Sequence, residues 1–532
     1  MIHLRIFTFF LLLVCSFSQL HAQKHDNNWV MGKMYSKENG ALCNGLCEGF
    51  YYSFSDTGKV FSKLNTGIEM EVTNATISDR SGRLMCFTNG LQVKNFVGDR
   101  IHKGDTLNSS CNYVKTANIN SDYGLPDSHV FIPDDEHEGI YYLYQLTMSW
   151  VDKFGYTGTT LRVTKIDMNA DNGKGKVIFM NKVLQELQAV SIQFTRHANG
   201  RDWWCVAPHD RPNIYNVILL HNDKVLSYQE QSIGKTYPDS IRGFSSQKCF
   251  SPDGSLYVDC GLYVGVRVYN FDRCKGRLSL LKQHLRAIPP KDLYDKTGAT
   301  SAIISPNNRF VYVGYENGLG SNFVQYDLNE PDFLQSKTLI RDVYGFYNYN
   351  PPWDHKLDTL SFVWKMQYGP DGKIYLSHYK TYAGGMYVIS KPDEKGVGCE
   401  LCSKNCFTTP YWNGFSMPSF PNYRLGALKG SPCDTLHVAN KEIGIMDYGL
   451  KLMPNPASDQ IQLDITLPEY DPGTKTEIVI LDVAGEVVIR YPMPDFAYLA
   501  TVDISALAGG VYAVQLRQRN QVMAVEKLVV VR

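Results

Sequence analysis

The segment His197-Ala198-Asn199-Gly200-Arg201-Asp202-Trp203-Trp204 places an imidazole, a guanidinium, a carboxylate and two indoles close together along the chain. Two tryptophans beside Arg201 and Asp202 could stack on and hydrogen-bond a sugar or a peptide. The same residues could instead pack between sheets and tie a turn. The run Asp134-Asp135-Glu136-His137-Glu138 is the densest acidic stretch. His137 and Glu138 could hold a metal, although five polar residues before Gly139 also compose an exposed hairpin tip. Asp167 to Gly173 begins like a calcium loop, with oxygen donors at alternating positions. The obligatory glycine of such a loop falls at Asn172 and its closing glutamate at Ile178, so a plain turn is the better reading. Cys399, Cys402, Cys406 and Cys433 have the count for a four-thiolate zinc site. In an oxidising compartment they read as disulfides, and Cys43 and Cys47 become further pairing candidates.

No Gly-x-Ser-x-Gly, His-Glu-x-x-His or phosphate-loop pattern occurs. No catalytic residue, metal or cofactor is therefore assigned. An enzyme on this chain would use loop residues that no motif marks.

Composition narrows the partners. Lysine plus arginine number 53, aspartate plus glutamate also 53, so the formal net charge is zero. A balanced chain has no electrostatic footprint for nucleic acid or an anionic membrane. Arg5, the apolar run from Ile6 to Val14, and Leu20-His21-Ala22 ahead of Gln23 form a signal-peptide pattern over 1–22. That run is too short to span a bilayer, and no later segment is apolar for long enough, so no membrane span is expected. Cys15 behind Leu12-Leu13-Val14 raises a lipoprotein reading, against which Val14 stands where a small residue is needed. Of the 13 cysteines, twelve remain once Cys15 is removed, an even number that favours disulfides outside the cell.

The elements that must position these residues repeat. Hairpin turns centred on Gly82, Gly139, Gly200, Gly254, Asn308 and Gly372 recur about every 54–64 residues. Each lies between a short apolar strand and an aromatic or β-branched one, as in Phe250-Ser251-Pro252-Asp253-Gly254-Ser255-Leu256-Tyr257-Val258. A second series marks the outer half of each unit, near Gly58, Gly98, Gly173, Asn222, Gly276, Asn329 and Gly396. Six inner and seven outer turns predict a seven-bladed β-propeller of four-stranded blades. In this reading the N-terminus supplies the outer strands of the last blade, and residues near Ser416 to Leu425 return as its inner strand. Six blades with an N-terminal extension is the rival arrangement.

Alternating strands at 460–465, 477–481, 486–490 and 511–516 predict a small Ig-like β-sandwich at the C-terminal end. Its ordered motifs are Pro454-Asn455-Pro456, Asp482 with Gly485, and Leu507 with Gly510 and Tyr512. Together they resemble the type A C-terminal sorting domain used by Bacteroidota for type IX secretion. Ile77-Ser78-Asp79-Arg80-Ser81-Gly82, His129-Val130-Phe131-Ile132-Pro133 and the tryptophan segment resemble a propeller family of Bacteroidota surface proteins that carry this same tail.

The expected organisation is therefore all-β. It comprises a signal peptide (1–22), a propeller (23–430), a linker (431–448) and a sorting domain (449–532). The resemblance implies passage through the periplasm to the outer-membrane surface or the medium. It also implies recognition by the secretion machinery, removal of the tail by its sortase-like protease, and attachment to surface lipopolysaccharide or release. For the propeller it implies no agreed activity. The expected function is binding or scaffolding of a glycan or protein; the alternative is an extracellular lactonase- or glycosidase-like hydrolase.

Overall fold

The structure is a computed structural model that describes residues 23–32, 48–55, 58–70, 72–108, 122–150, 156–236, 246–262, 264–285, 298–316, 321–343, 363–378, 385–402, 407–408, 417–434, 449–466, 476–483, 485–493, 499–518 and 521–532. The signal-peptide pattern, Cys43, Cys47, Cys406 and the linker residues 435–448 lie outside these. The chain divides into two compact units after Cys433.

Among the described residues the first unit holds seven antiparallel sheets in chain order, two of three strands and five of four. We number them blades 1 to 7. Their innermost strands are Asn28–Gly32, Ala75–Ser78, His129–Pro133, Gln193–Arg196, Cys249–Phe250, Gly298–Ile304 and Val363–Tyr368. All six inner turns lie where the repeat predicts, and their marker residues all have φ between 60° and 92°. That left-handed conformation costs glycine least and asparagine little, which is why the markers are Gly and Asn.

The sheets close into a ring through their side chains. Blades 2, 3 and 4 share one core, and blades 5, 6 and 7 share another. Trp204, Tyr215, Tyr257 and Phe271 fill the seam between blades 4 and 5, and Val30, Leu64 and Phe87 the seam between blades 1 and 2. Blade 7 meets blade 1 through Tyr375, Met386 and Val388 against Trp29, Tyr52 and Phe54. Each such fully buried side chain contributes about 1.5–3 kcal/mol. Lys59 adds an ion pair to Asp371 across this seam, at 2.9 Å.

Ring closure differs from the sequence expectation. Blade 1 has its own innermost strand, Asn28–Gly32, paired to Glu48–Ser55. The segment 417–428 does enter the channel, but forms no strand. Pro418 and Pro421 supply no N–H, so a continuous ladder cannot form there. The segment instead lies as a strap bonded to many blades in turn. Ser419 N donates to Asn74 O (3.4 Å) and Leu428 N to Ala198 O (2.9 Å). Tyr423 donates its hydroxyl to Phe131 O at 2.7 Å, and Asn422 Nδ2 donates to Pro252 O at 2.7 Å. Arg273 reaches Gly426 O at 2.5 Å.

The ring unit also runs past the expected boundary at 430, because Cys433 is disulfide-bonded to Cys274 in the outer turn of blade 5. Cys402 is disulfide-bonded too. Cys399, a pairing candidate from sequence, instead carries a free thiol, as do Cys86, Cys205, Cys249 and Cys260. All five are buried, and there they act as small apolar side chains.

The second unit is a β-sandwich of a three-stranded and a four-stranded antiparallel sheet. Its core is aliphatic: Ile461, Leu463, Ile478, Ile480, Val514, Leu516 and Leu528 are among its buried residues. The conspicuous C-terminal motifs do structural work here. Asn455, between two cis X-Pro bonds, accepts from Val529 N at 2.9 Å and donates to Lys527 O at 2.5 Å, docking the entry segment on the last strand. Asp482 and Gly485 (φ 83°) make the turn after Thr476–Leu481. Leu507 O accepts from the Arg532 guanidinium at 2.7 Å, Gly510 begins the strand Gly510–Gln518, and the Tyr512 hydroxyl donates to Ala508 O at 2.9 Å.

Candidate functional site

A cavity of about 230 Å³ lies in the ring channel between the strap and blades 4 to 7. Its walls come from the innermost strands, with Gln193 and Thr195 from blade 4, Cys249 from blade 5, Ile303 from blade 6 and Lys365 and Gln367 from blade 7. Ser419, Phe420 and Asn422 of the strap form the opposite wall, and Pro252, Pro306, Pro370 and Gly372 of the inner turns edge one end. The short inner strands place these residues: Gln193 and Thr195, and likewise Lys365 and Gln367, are two positions apart and so lie on one face of their strand.

The charges in this cavity are paired. The Lys365 ammonium contacts Asp127 Oδ1 at 2.8 Å, Met417 O at 3.0 Å and Ser419 Oγ at 2.7 Å, which uses its three donors. The Ser419 hydroxyl donates in turn to Asp127 at 2.8 Å. Arg424 forms a two-point pair with Asp26 at 2.6 and 2.7 Å. Lys248 donates to Ser246 O at 2.8 Å and stands 3.7 Å from Asp259. Burial pushes the Cys249 thiol up to about 12, so it is not a nucleophile at neutral pH.

The tryptophan segment from the sequence lies elsewhere, on the inner turn of blade 4. Both indoles are buried. Trp204 donates to Arg273 O at 2.7 Å and packs against Phe271, while Trp203 lies under the Arg196 guanidinium and near Tyr423. His197 accepts from Asn199 N at 3.1 Å, and its other nitrogen lies 3.1 Å from Cys274 O. Burial opposes ionisation of Asp202, but hydrogen bonds from Arg201 and Asn199 outweigh it and hold the carboxyl below its ordinary range. The indole faces a ligand would need are occupied by protein. The geometry ties a turn and two blades together, and of the five residues only Arg201 is well exposed.

The other candidates are turns as well. Asp134 is buried and accepts from Glu136 N and His137 N at 3.0 and 3.2 Å, and Asp135 pairs with Arg196. Asp167 accepts from Asn169 N at 2.8 Å, and Asn169 donates to Glu138 O at 2.8 Å, which joins the two turns. Among the described residues no group of three or more His, Cys, Asp or Glu side chains is placed to hold a metal ion.

Sequence reasoning missed the cavity residues. Asp127, Gln193 and the neighbouring pair Lys365 and Gln367 are far apart in the chain and belong to no motif. The proline-rich Met417-Pro418-Ser419-Phe420-Pro421 was the one usable signal, because it rules out a strand there.

Residues 451–531 match the family described as the secretion system C-terminal sorting domain. No curated protein matches the chain. Similar solved structures include a protein from Lactobacillus plantarum, at 15% identity and TM-score 0.40, covering 73% of this chain and 98% of that one. The periplasmic gluconolactonase PpgL of Pseudomonas aeruginosa has 12% identity and TM-score 0.34, with 74% and 98% covered. The Cps50 (Swd1) β-propeller domain of Myceliophteria thermophila has 9% identity and TM-score 0.36, with 67% and 94% covered. At these scores the likenesses carry no functional weight, and the architecture rests on the strand pairing itself. The chain is a β-propeller protein whose C-terminal domain is a type IX secretion sorting domain, which directs it to the cell surface or the medium.

Proposed function

We propose that this protein is an extracellular or surface-held binding and scaffold module, and that the ring is the part that remains at work after export. The observation that carries this reading is the ring centre. A propeller hydrolase concentrates acidic groups or histidines there to activate water or hold a cation. Here Asp127 and Asp26 are each paired to a cation, and the strap occupies part of the channel. The remaining space is a small pocket, suited to recognition.

The sandwich serves export. The linker, 431–448, is the segment where a sortase-like protease would cut, and its product is either attached to lipopolysaccharide or released. The test applies the full-length protein to a glycan and peptide array, alongside hydrolysis assays on lactones and aryl glycosides. Saturable array binding without turnover supports the reading. Turnover lost on substitution of a ring-centre residue overturns it in favour of the hydrolase.

A further inference from the structure

We infer that the ring-centre cavity is a binding site for one neutral, hydroxyl-rich ring, of the size and chemistry of a monosaccharide. The inference rests on the binding reading above and assigns it a ligand class. Three observations lead to it.

The first is charge. Each cation bordering the space has a carboxylate of the protein beside it: Lys365 faces Asp127, Arg424 faces Asp26, and Lys248 shares Asp259 with Arg267. A charged ligand would have to break one of these pairs in a partly desolvated site, which costs several kcal/mol. A neutral ligand leaves them intact.

The second is hydrogen bonding. The Gln193 amide and the Thr195 hydroxyl, on blade 4, have no partner among the described residues. The Gln367 amide, on blade 7, reaches only Tyr368 O, at the long distance of 3.5 Å. Buried or half-buried amides ordinarily find partners. Each carboxamide offers two donors and one acceptor oxygen, and the hydroxyl offers both roles. Adjacent sugar hydroxyls also donate and accept, so they can satisfy all three groups together.

The third is shape. About 230 Å³ is below the roughly 300–1,000 Å³ of sites for drug-sized ligands, which excludes an oligosaccharide lying wholly inside. Phe420 on the strap and Tyr368 on blade 7 supply aromatic surface for the apolar C–H face of such a ring.

Saturation-transfer NMR on the intact protein tests this with D-glucose, D-galactose, D-mannose and N-acetyl-D-glucosamine, and with D-gluconate as the charged control. At least one neutral sugar should receive saturation and gluconate none. Gln193→Leu and Gln367→Leu should each weaken that binding roughly tenfold, with near-UV circular dichroism unchanged. Gln193 has no partner to lose, so its variant reads the ligand contact separately from folding. Transfer to none of the four sugars overturns the inference, as does affinity unchanged in both variants or equal transfer to gluconate. If array binding persists while the two variants leave it unchanged, the binding reading stands and the ligand sits elsewhere on the ring. If neither array nor sugar binds, both readings fall.

Discussion

The ring and the C-terminal sandwich use the same antiparallel pairing but finish their sheets differently. The ring seals its seams with aromatic and aliphatic cores, and its lumen carries paired charges and the amides of Gln193 and Gln367. The sandwich has one aliphatic core and leaves the edge strand Val487–Pro492 unpaired on its outer side among the described residues, while residues 455–457 bond to the C-terminal part of the other edge strand, Gln521–Val530. Val483, Val487, Val488, Val511, Val522 and Val525 are exposed on it. A closed ring protects a chemically distinct interior, whereas an open edge with exposed valines presents a surface for another protein to read. One unit encloses a channel, and the other carries the sorting signal.

The sharpest way to break this contrast is to remove the label. Deleting 449–532 should leave a folded ring trapped in the periplasm of its native host, visible by fractionation and circular dichroism. Normal levels at the surface or in the medium would mean that the tail is not the export signal. The ring carries its own core, so its folding should survive the loss.

Next in size is a comparison of ion pairs. Lys365→Met strands the buried Asp127 carboxylate and should cost about 3–5 kcal/mol in denaturant unfolding. Restoring neutrality with Asp127→Leu in the same chain should recover much of that. The equivalent change in the sandwich, Arg490→Met, breaks a pair to Glu477 in which the arginine is 53% exposed, and should cost less than about 1 kcal/mol. Equal losses would show that burial does not separate the two units.

The disulfide gives a third measure. Cys274 and Cys433 are 159 residues apart, and replacing both with serine should lower ring stability by about 2–5 kcal/mol. The sandwich has no cysteine, so its own transition should not move. A calorimetric scan with and without reductant separates the two.

The smallest expected effect is the pH response. Burial pushes His129 down to about 3, and hydrogen bonds to Asn108 and Ser128, at 3.0 and 2.8 Å, hold it in place. Above the unfolded value near 6.5 both states are neutral and stability is full. Below it the unfolded chain takes up a proton that the folded ring refuses. Stability then falls by about 1.4 kcal/mol per pH unit, or about 2 kcal/mol between pH 7 and 5. His129→Gln should reduce the slope of unfolding free energy against pH by about one proton. Residues 449–532 contain no histidine, so the isolated sandwich should lack this slope, and an identical slope there would assign it to other groups.

Much of the fold was legible because turns are local. Gly82, Gly139, Gly200, Gly254, Asn308 and Gly372 needed only their neighbours to be recognised, and all six fall in left-handed turns. The strap misled for an equally local reason: a return to the ring was visible, but Pro418 and Pro421 decide against a ladder, and the bonds replacing it go to residues hundreds of positions away. The tryptophan segment drew attention through its rare residue types. Whether an indole faces water or a neighbouring blade is a property of the packed ring, and both are buried.

The sequence by itself determined the repeat, the all-β class, the sandwich and the sorting tail, because each is written in spacing and turn chemistry within a few residues. Only the tertiary structure decided that Cys433 pairs with Cys274, that Lys365 neutralises Asp127, and that Gln193, Thr195 and Gln367 border one cavity. Those relations depend on how seven sheets close around an axis, and closure brings together side chains that no local pattern connects.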